Sequence, residues 1–163
     1  MKLDRLDIRI LTVLQREGRA TKTRVGELVG LSPSPCHERM KRLEAAGLIS
    51  GYRAEIDLGR LTKPTLVMVE ICLKSHEATD FERFNRHLQD VPEVLECYQT
   101  SGAMDFIMKV VAADLEAYQA LMDRLVEARI GIGRYTTCVV TKRVKKYGGY
   151  PLDLLLNDCP VPG

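Results

Sequence analysis

Four side chains that form hydrogen bonds or carry charge lie on one face of a predicted helix in the segment SPSPCHERMKRLEAAG. They are Ser34, His37, Glu38 and Lys41. A hydroxyl, an imidazole, a carboxylate and an ammonium at helical spacing can exchange hydrogen bonds with the edges of base pairs. Glu38 in particular can accept from a cytosine amino group. The pattern therefore predicts a helix that reads double-stranded DNA in the major groove.

A second set of residues suits the DNA phosphates. These residues are Arg24, Ser32, Arg39, Arg42 and Arg53. Ser32 precedes the helix, whose free N–H groups can bind an anion, and an arginine fork grips phosphate with two hydrogen bonds. The sequence leaves one alternative open for Arg39, an ion pair with Glu44 or with a carboxylate of the first helix. The alternative for His37 is a solvated surface histidine.

The elements around this helix predict a winged helix-turn-helix over residues 1–57. A first helix is expected at about residues 4–17, and a second begins at Thr21 or Thr23 and buries positions 25, 28 and 29. Gly30 permits a tight turn, and a Ser-Pro step opens the third helix. The inward positions of the third helix are Cys36, Met40 and Leu43. Leu48 and Ile49 are expected to close the core, and residues 52–56 to form one strand of a wing.

A different periodicity follows a polar linker at residues 58–64. Strands are predicted at residues 65–73, 94–100, 105–112 and 132–144, and helices at 80–89 and after Asp114, with Leu115 facing inward. The order β-α-β-β-α-β is typical of a ferredoxin-like domain, here residues 65–147, followed by a tail at 148–163. The expected fold class is therefore α+β. The LDLLL segment of the tail could dock on another subunit.

The charge distribution agrees with this division. Residues 1–60 hold 12 Lys/Arg and 8 Asp/Glu, and residues 61–163 hold 12 and 14, so the basic surplus lies in the predicted DNA-binding half. No signal peptide or membrane-spanning run is visible. Five cysteines, the last being Cys159, are an odd number without CxxC or zinc-ligand spacing. We expect a cytoplasmic, nucleoid-associated protein without a disulfide framework, metal, cofactor or enzymatic activity.

Three segments resemble the Lrp/AsnC (feast/famine) transcription regulators. They are LDRLDIRILTVLQREGR, GLSPSPCHERMKRLEAAGLI and SGAMDF, and the resemblance spans about residues 3–150. It implies that the ferredoxin-like domain, also called RAM, binds an effector and pairs through its sheet into homodimers. It also implies that dimers assemble into tetramers, octamers or larger rings. Amino acids are the usual effectors of this family, bound between dimers near a G-x-x-D loop.

The resemblance places the effector at the SGAMD turn. The candidates there are Gly102, Ala103, Met104 and Asp105, and a neighbouring subunit would contribute Tyr135, Thr136, Thr137 and Cys138. Gly102 allows the backbone to approach a ligand closely, and Ala103 and Met104 would form an apolar rim. The family often has Tyr after its Asp, whereas this chain has Phe106. The alternative for Asp105 is a carboxylate that only caps the turn.

The predicted function is regulation of transcription from a pseudo-palindromic operator, modulated by an amino acid or a related small molecule. By analogy with the family, the regulated genes would serve amino-acid metabolism or transport. Two alternatives remain open, an architectural nucleoid-type DNA binder and a thiol-responsive regulator. The second would use Cys36 on the third helix or Cys138 on the last strand.

Overall fold

The computed structural model describes residues 2–156, which form two compact units. The first unit contains residues 2–56 together with residues 145–156. The second unit contains residues 57–144. Cys159 and the rest of the tail beyond position 156 lie outside the described residues. The described part of the tail, residues 148–156, belongs to the same unit as the N-terminal helices.

Three helices and a short tail helix make up the first unit. They are α1 (Arg5–Arg16), α2 (Lys22–Val29), α3 (Pro33–Ala45) and, numbered in chain order, α6 (Leu152–Leu156). A reciprocal capping box begins α1, since the Asp4 carboxylate accepts from the Asp7 amide while the Asp7 carboxylate accepts from the Asp4 amide. The Thr21 hydroxyl caps α2 by accepting from the Arg24 amide at 3.1 Å. Ser32 lies at the N-cap position of α3, although its side chain forms no capping hydrogen bond.

The core of this unit lies between the three helices. Its buried residues are Ile10, Leu14, Val25, Val29, Cys36, Met40 and Leu43. The predicted inward face of α3 is therefore confirmed. Two other expectations were wrong in part. Leu28, expected to be buried, is only half-buried. Leu48 and Ile49 were both expected to close the core, but Leu48 is 47% exposed and only Ile49 packs on the core.

The predicted wing strand at residues 52–56 is absent from the described structure. Residues 51–57 have no regular secondary structure. Alternating residues suit a strand only if a neighbouring strand accepts and donates its backbone hydrogen bonds. No strand is present among the described residues of the first unit, so this segment stays irregular.

The second unit is an antiparallel sheet with two helices on one face. After a short 3-10 helix at Leu58–Arg60 come β1 (Thr65–Leu73), α4 (Ala78–Leu88), β2 (Val94–Gln99), β3 (Phe106–Ala112), α5 (Leu115–Glu127) and β4 (Ile132–Val139). The strand order is β2-β3-β1-β4, with β1 between β3 and β4. This is the predicted ferredoxin-like topology. Its core lies under α4 and α5, where Phe84 and Phe106 stack at 4.3 Å between ring centroids.

Two predictions for this unit were wrong in detail. β4 ends at Val139 rather than at position 144, because the Val140–Leu66 hydrogen bond already lies one residue from the start of β1 at Thr65. Leu115 is 59% exposed, since it is the first residue of α5 and points away from the sheet. None of the described helices has both the length and the apolarity needed to cross a bilayer.

Candidate functional site

The exposed face of α3 carries most of the predicted base-reading side chains. Ser34, Glu38 and Lys41 are all exposed on the side of the helix that faces away from Cys36, Met40 and Leu43. The Lys41 ammonium lies 3.8 Å from the Glu38 carboxylate, a contact between two exposed groups. Such a pair contributes little to stability, so it leaves both side chains free to rearrange against a ligand.

His37 differs from its neighbours because its ring is half-buried against α2. Its Nε2 atom lies 3.3 Å from the Lys22 ammonium, and its Nδ1 atom is buried without a hydrogen-bond partner. An ammonium only donates, so Nε2 accepts and Nδ1 carries the hydrogen in this arrangement. His37 is therefore only partly accessible, and its base-reading role stays a prediction. Lys22 could not be identified from local spacing, because the contact joins two helices across 15 positions.

Arg39 lies in an ion cluster at the N-terminus of α1. Its guanidinium donates to Asp4 at 2.7 Å and to Asp7 at 2.8 Å. The Arg42 guanidinium donates to both oxygens of Asp7, whose side chain is fully buried. The structure thus shows the ion pair with a first-helix carboxylate that the sequence left open for Arg39. Glu44 instead accepts from the Tyr52 hydroxyl at 2.8 Å.

The ion cluster changes the acidity of its members. Partial burial disfavours the charged form of Asp4, but the amide of Asp7 and the guanidinium of Arg39 together hold the pKa of Asp4 below its usual value. The same carboxylates, Asp7 first, raise the pKa of Arg39. The buried Asp7 carboxylate accepts hydrogen bonds from the Asp4 amide and from the guanidinium groups of Arg39 and Arg42. These donors offset the free-energy cost of removing the carboxylate from water.

The remaining residues predicted to contact phosphates differ in whether their side chains already form ion pairs. Arg24 is shared between Glu17 at 3.8 Å and Glu27 at 3.4 Å. Within residues 2–156, Arg53 is exposed and forms no ion pair, and the Ser32 side chain is likewise exposed. Arg53 is thus available to an anion without first breaking a contact.

The SGAMD turn joins β2 to β3 and is closed by Asp105. Gly102 has φ +144°, a conformation that favours glycine, and a Cβ atom there would meet nothing within 4 Å. The Asp105 side chain is 16% exposed. It accepts from the Leu73 amide at 2.8 Å and lies 3.1 Å from His76 Nε2. Asp105 therefore ties the turn to the end of β1, and its contact with an effector stays a prediction.

The rim of the turn contains sulfur. Cys72 on β1 lies 3.4 Å from the carbonyl oxygen of Ala103 and 3.4 Å from the Met104 sulfur. The His76 ring stacks on Phe81 with centroids 6.2 Å apart. Sequence reasoning missed both Cys72 and His76, because each meets the turn only through the pairing of distant strands. The turn thus combines a carboxylate, an imidazole and a small apolar surface.

The four β4 candidates lie on opposite faces of the sheet. Tyr135 and Thr137 pair with the buried positions of β1 and point toward the helices, and Thr137 shares a 2.6 Å hydrogen bond with the Tyr118 hydroxyl. Thr136 and Cys138 pair with Glu70 and Met68 on the open face. Because strand side chains alternate, one pair lies on each face of the sheet. Their contribution to an effector site formed with a neighbouring subunit stays a prediction.

A three-helix unit with an exposed polar helix, joined to a ferredoxin-like unit, defines a class of DNA-binding regulators with a separate ligand-binding domain. Comparison with known proteins agrees. A family model described as winged helix-turn-helix DNA-binding matches residues 3–50, and one described as Lrp/AsnC ligand binding domain matches residues 66–150. The chain belongs to the Lrp/AsnC family of transcription regulators.

Individual relatives support the same conclusion. The chain is 47% identical to the transcriptional regulatory protein DoeX of Halomonas elongata over 90% of this chain and 92% of DoeX. It is 39% identical to the leucine-responsive regulatory protein of Escherichia coli over 88% of each chain. An AsnC family regulator from Agrobacterium tumefaciens has a TM-score of 0.87 at 32% identity, over 94% of this chain and 100% of that one. A Neisseria meningitidis transcriptional regulator in complex with L-Met also has a TM-score of 0.87, at 30% identity over 94% and 99%.

Proposed function

We propose that this regulator recognises a pseudo-palindromic operator and that an amino acid or a related small molecule modulates its DNA binding or its assembly. The single observation that carries the DNA-reading half is the exposed face of α3, where Ser34, Glu38 and Lys41 lie together. One such helix contacts few base pairs. Two copies on a two-fold homodimer would read two half-sites and so supply the specificity.

The open face of the sheet supports dimerisation. On the side opposite the helices, β1 and β3 present half-buried apolar residues. These are Leu66, Met68, Ile107 and Val111. A sheet face of this composition is stabilised when a second copy covers it. Further association of dimers into tetramers or octamers would link several operator contacts and raise the overall affinity.

The effector proposal rests on the SGAMD turn. An amino acid carries an ammonium, which suits Asp105, and a carboxylate, which suits backbone N–H groups near the open backbone at Gly102. Ala103, Met104 and Cys72 provide a small apolar surface for a side chain. The Neisseria relative in complex with L-Met is consistent with an amino acid as ligand. The regulated genes would then concern amino-acid metabolism or transport. The regulator itself would act in the cytoplasm, associated with the nucleoid.

Calorimetry with a panel of amino acids tests the effector. Asp105→Ala removes both the charge and the hydrogen bond to Leu73, whereas Asp105→Asn keeps an acceptor for that amide and removes only the charge. We expect the amino acid that binds the wild-type protein to give no binding heat with either variant. Unchanged binding by Asp105→Asn would show that the carboxylate only caps the turn.

The thiol-responsive alternative finds no support at Cys36. Its side chain is completely buried in the core, and this burial raises the pKa of the thiol, which disfavours the reactive thiolate. An architectural binder without an effector would give no binding heat with any amino acid and equal affinity for all DNA sequences. Selection of duplexes from a random library with the wild-type protein therefore separates that alternative from the proposal.

A further inference from the structure

The first unit contains an open groove whose lining includes only one of the predicted phosphate contacts, Arg53. It has a volume of about 890 Å³. Besides Glu55, three arginines and three tyrosines contribute to its lining, and we call it the basic groove. These residues are Arg16, Arg19, Tyr52, Arg53, Tyr147 and Tyr150. They come from the end of α1, the α1–α2 turn, the irregular segment after α3 and the C-terminal tail.

The positive charge of the basic groove is not neutralised. Among the described residues, Arg16, Arg19 and Arg53 are exposed and form no ion pair or hydrogen bond through their side chains. Of the nearby glutamates, Glu17 and Glu55 pair with cations, whereas Glu44 keeps its charge because its partner is a neutral hydroxyl. Glu17 meets Arg24 at 3.8 Å, Glu44 accepts from Tyr52 at 2.8 Å, and Glu55 meets Lys146 of the tail at 3.1 Å. The basic groove therefore favours an anionic occupant.

A second open groove, of about 390 Å³, connects the basic groove with α3, which we call the reading helix because of its proposed role. Both are lined by Gly18, Arg19 and Tyr52, and the second one also reaches Lys22, Met40 and Glu44. Lys22 in turn lies 3.3 Å from His37 on α3. Cations thus extend from the base-reading face through Lys22 and Arg19 to Arg53 and Arg16.

The tail forms one wall of the basic groove, and hydrogen bonds with Gln15 hold it there. The Gln15 side-chain amide accepts from the Tyr150 N–H at 2.6 Å and donates to the Tyr150 carbonyl oxygen at 3.2 Å. The rings of Tyr147 and Tyr150 meet edge to face at 5.5 Å. Lys146 neutralises Glu55 on the same segment as Arg53. Docking of the tail therefore makes this surface more attractive to an anion.

We propose that the sugar-phosphate backbone of the operator, flanking the bases read by α3, lies along Lys22, Arg19, Arg53 and Arg16. The inference rests on the proposed DNA-reading role of α3 and extends the DNA-contacting surface to the tail-lined groove. A duplex fits this surface better than a small anion does, because the cations are strung along two connected grooves and do not converge on one point. Phosphates spaced along a strand match such a row of cations.

The salt dependence of DNA affinity tests the proposal. The probe is a duplex selected from a random library with the wild-type protein, and affinity is measured by fluorescence anisotropy at several salt concentrations. Each phosphate contact contributes about 0.9 to the slope of log affinity against log salt concentration. We expect Arg16→Ala, Arg19→Ala and Arg53→Ala each to reduce this slope by about 1 per bound subunit. The matched control is Arg86→Ala, an exposed arginine of α4 without an ion pair among the described residues, which should keep the wild-type slope.

A second arm uses the length of the duplex. Shortening the selected duplex at both flanks should weaken binding by the wild-type protein and leave the affinity of the triple arginine variant unchanged. Wild-type slopes in all three single variants, or equal loss in the Arg86→Ala control, would overturn the proposal. Failure of the α3 proposal is distinguishable, because the wild-type protein would then select no preferred sequence although the slopes could still respond to the arginines.

Discussion

The Arg39 guanidinium on the reading helix donates to the carboxylate of Asp7 on α1 at 2.8 Å, and the Asp7 side chain is fully buried. This contact fixes the middle of α3 to the N-terminus of α1. The cations of α3 thus differ in their contacts, since Lys41 is exposed on the proposed reading face whereas Arg39 and Arg42 form ion pairs with Asp7. The orientation of the reading face therefore depends on a carboxylate that does not belong to it.

Replacing Asp7 by Asn is expected to destabilise the first unit by about 3 kcal/mol, because breaking a buried ion pair leaves its partners uncompensated. Chemical denaturation measures this loss. The matched control is Asp90→Asn, an exposed aspartate without an ion pair among the described residues, which should change stability by less than about 0.5 kcal/mol. A double-mutant cycle with Arg39→Ala should give a coupling energy of about 1 kcal/mol or more. Additive effects would show that the two residues do not act as a pair.

Acid should weaken the same cluster through Asp4. The pKa of Asp4 is lower in the folded chain than its unfolded value of about 3.9. Its contribution to the free energy of unfolding is therefore complete above about pH 4 and disappears as the pH falls through the folded pKa. We expect Asp4→Asn to lose up to about 1 kcal/mol at neutral pH and to show a shallower loss of stability below about pH 4. Parallel acid-unfolding curves for wild type and variant would contradict this assignment.

Periodicity and capping residues were sufficient to predict most of the fold. The spacing of Cys36, Met40 and Leu43 gave the buried face of α3, and β1 has the predicted bounds, because helix and strand periods are local properties. Long-range pairing decided what was missed. β4 stops where β1 can no longer pair with it, and residues 52–56 have no neighbouring strand among the described residues.

The sites were less predictable than the fold for the same reason. The sequence identified the G-x-x-D turn and the polar face of α3, since both are defined by short spacings. It could not identify Lys22 beside His37 or His76 beside Asp105, because these contacts depend on how distant elements pack. The tail is the clearest case, since Tyr150 meets Gln15 across 135 positions.

Lys41→Ala should weaken DNA binding without changing the fold. Its side chain is exposed, and its contact with Glu38 at 3.8 Å is a weak surface pair. If Lys41 contacts a base edge or a phosphate, the loss is roughly 1–3 kcal/mol in binding free energy, measured by fluorescence anisotropy with a selected duplex. Lys63→Ala, at an exposed position before β1, is the control for the general loss of one positive charge. Equal affinities of the two variants would remove Lys41 from the reading face.

Two adjacent glycines provide a test of tail docking. Gly149 has φ +99°, and a Cβ atom there would lie 2.9 Å from the Cβ atom of Gln15, whereas a Cβ atom at Gly148 would meet nothing within 4 Å. Gly149→Ala should therefore displace the tail through both strain and steric contact, and Gly148→Ala should not. The readout is hydrogen exchange of the Tyr150 amide, which donates to Gln15. We expect its exchange to accelerate by about fivefold or more in Gly149→Ala, since strain of about 1 kcal/mol favours the open state by that factor. Identical exchange rates in the two variants would mean that the tail does not depend on this contact with α1.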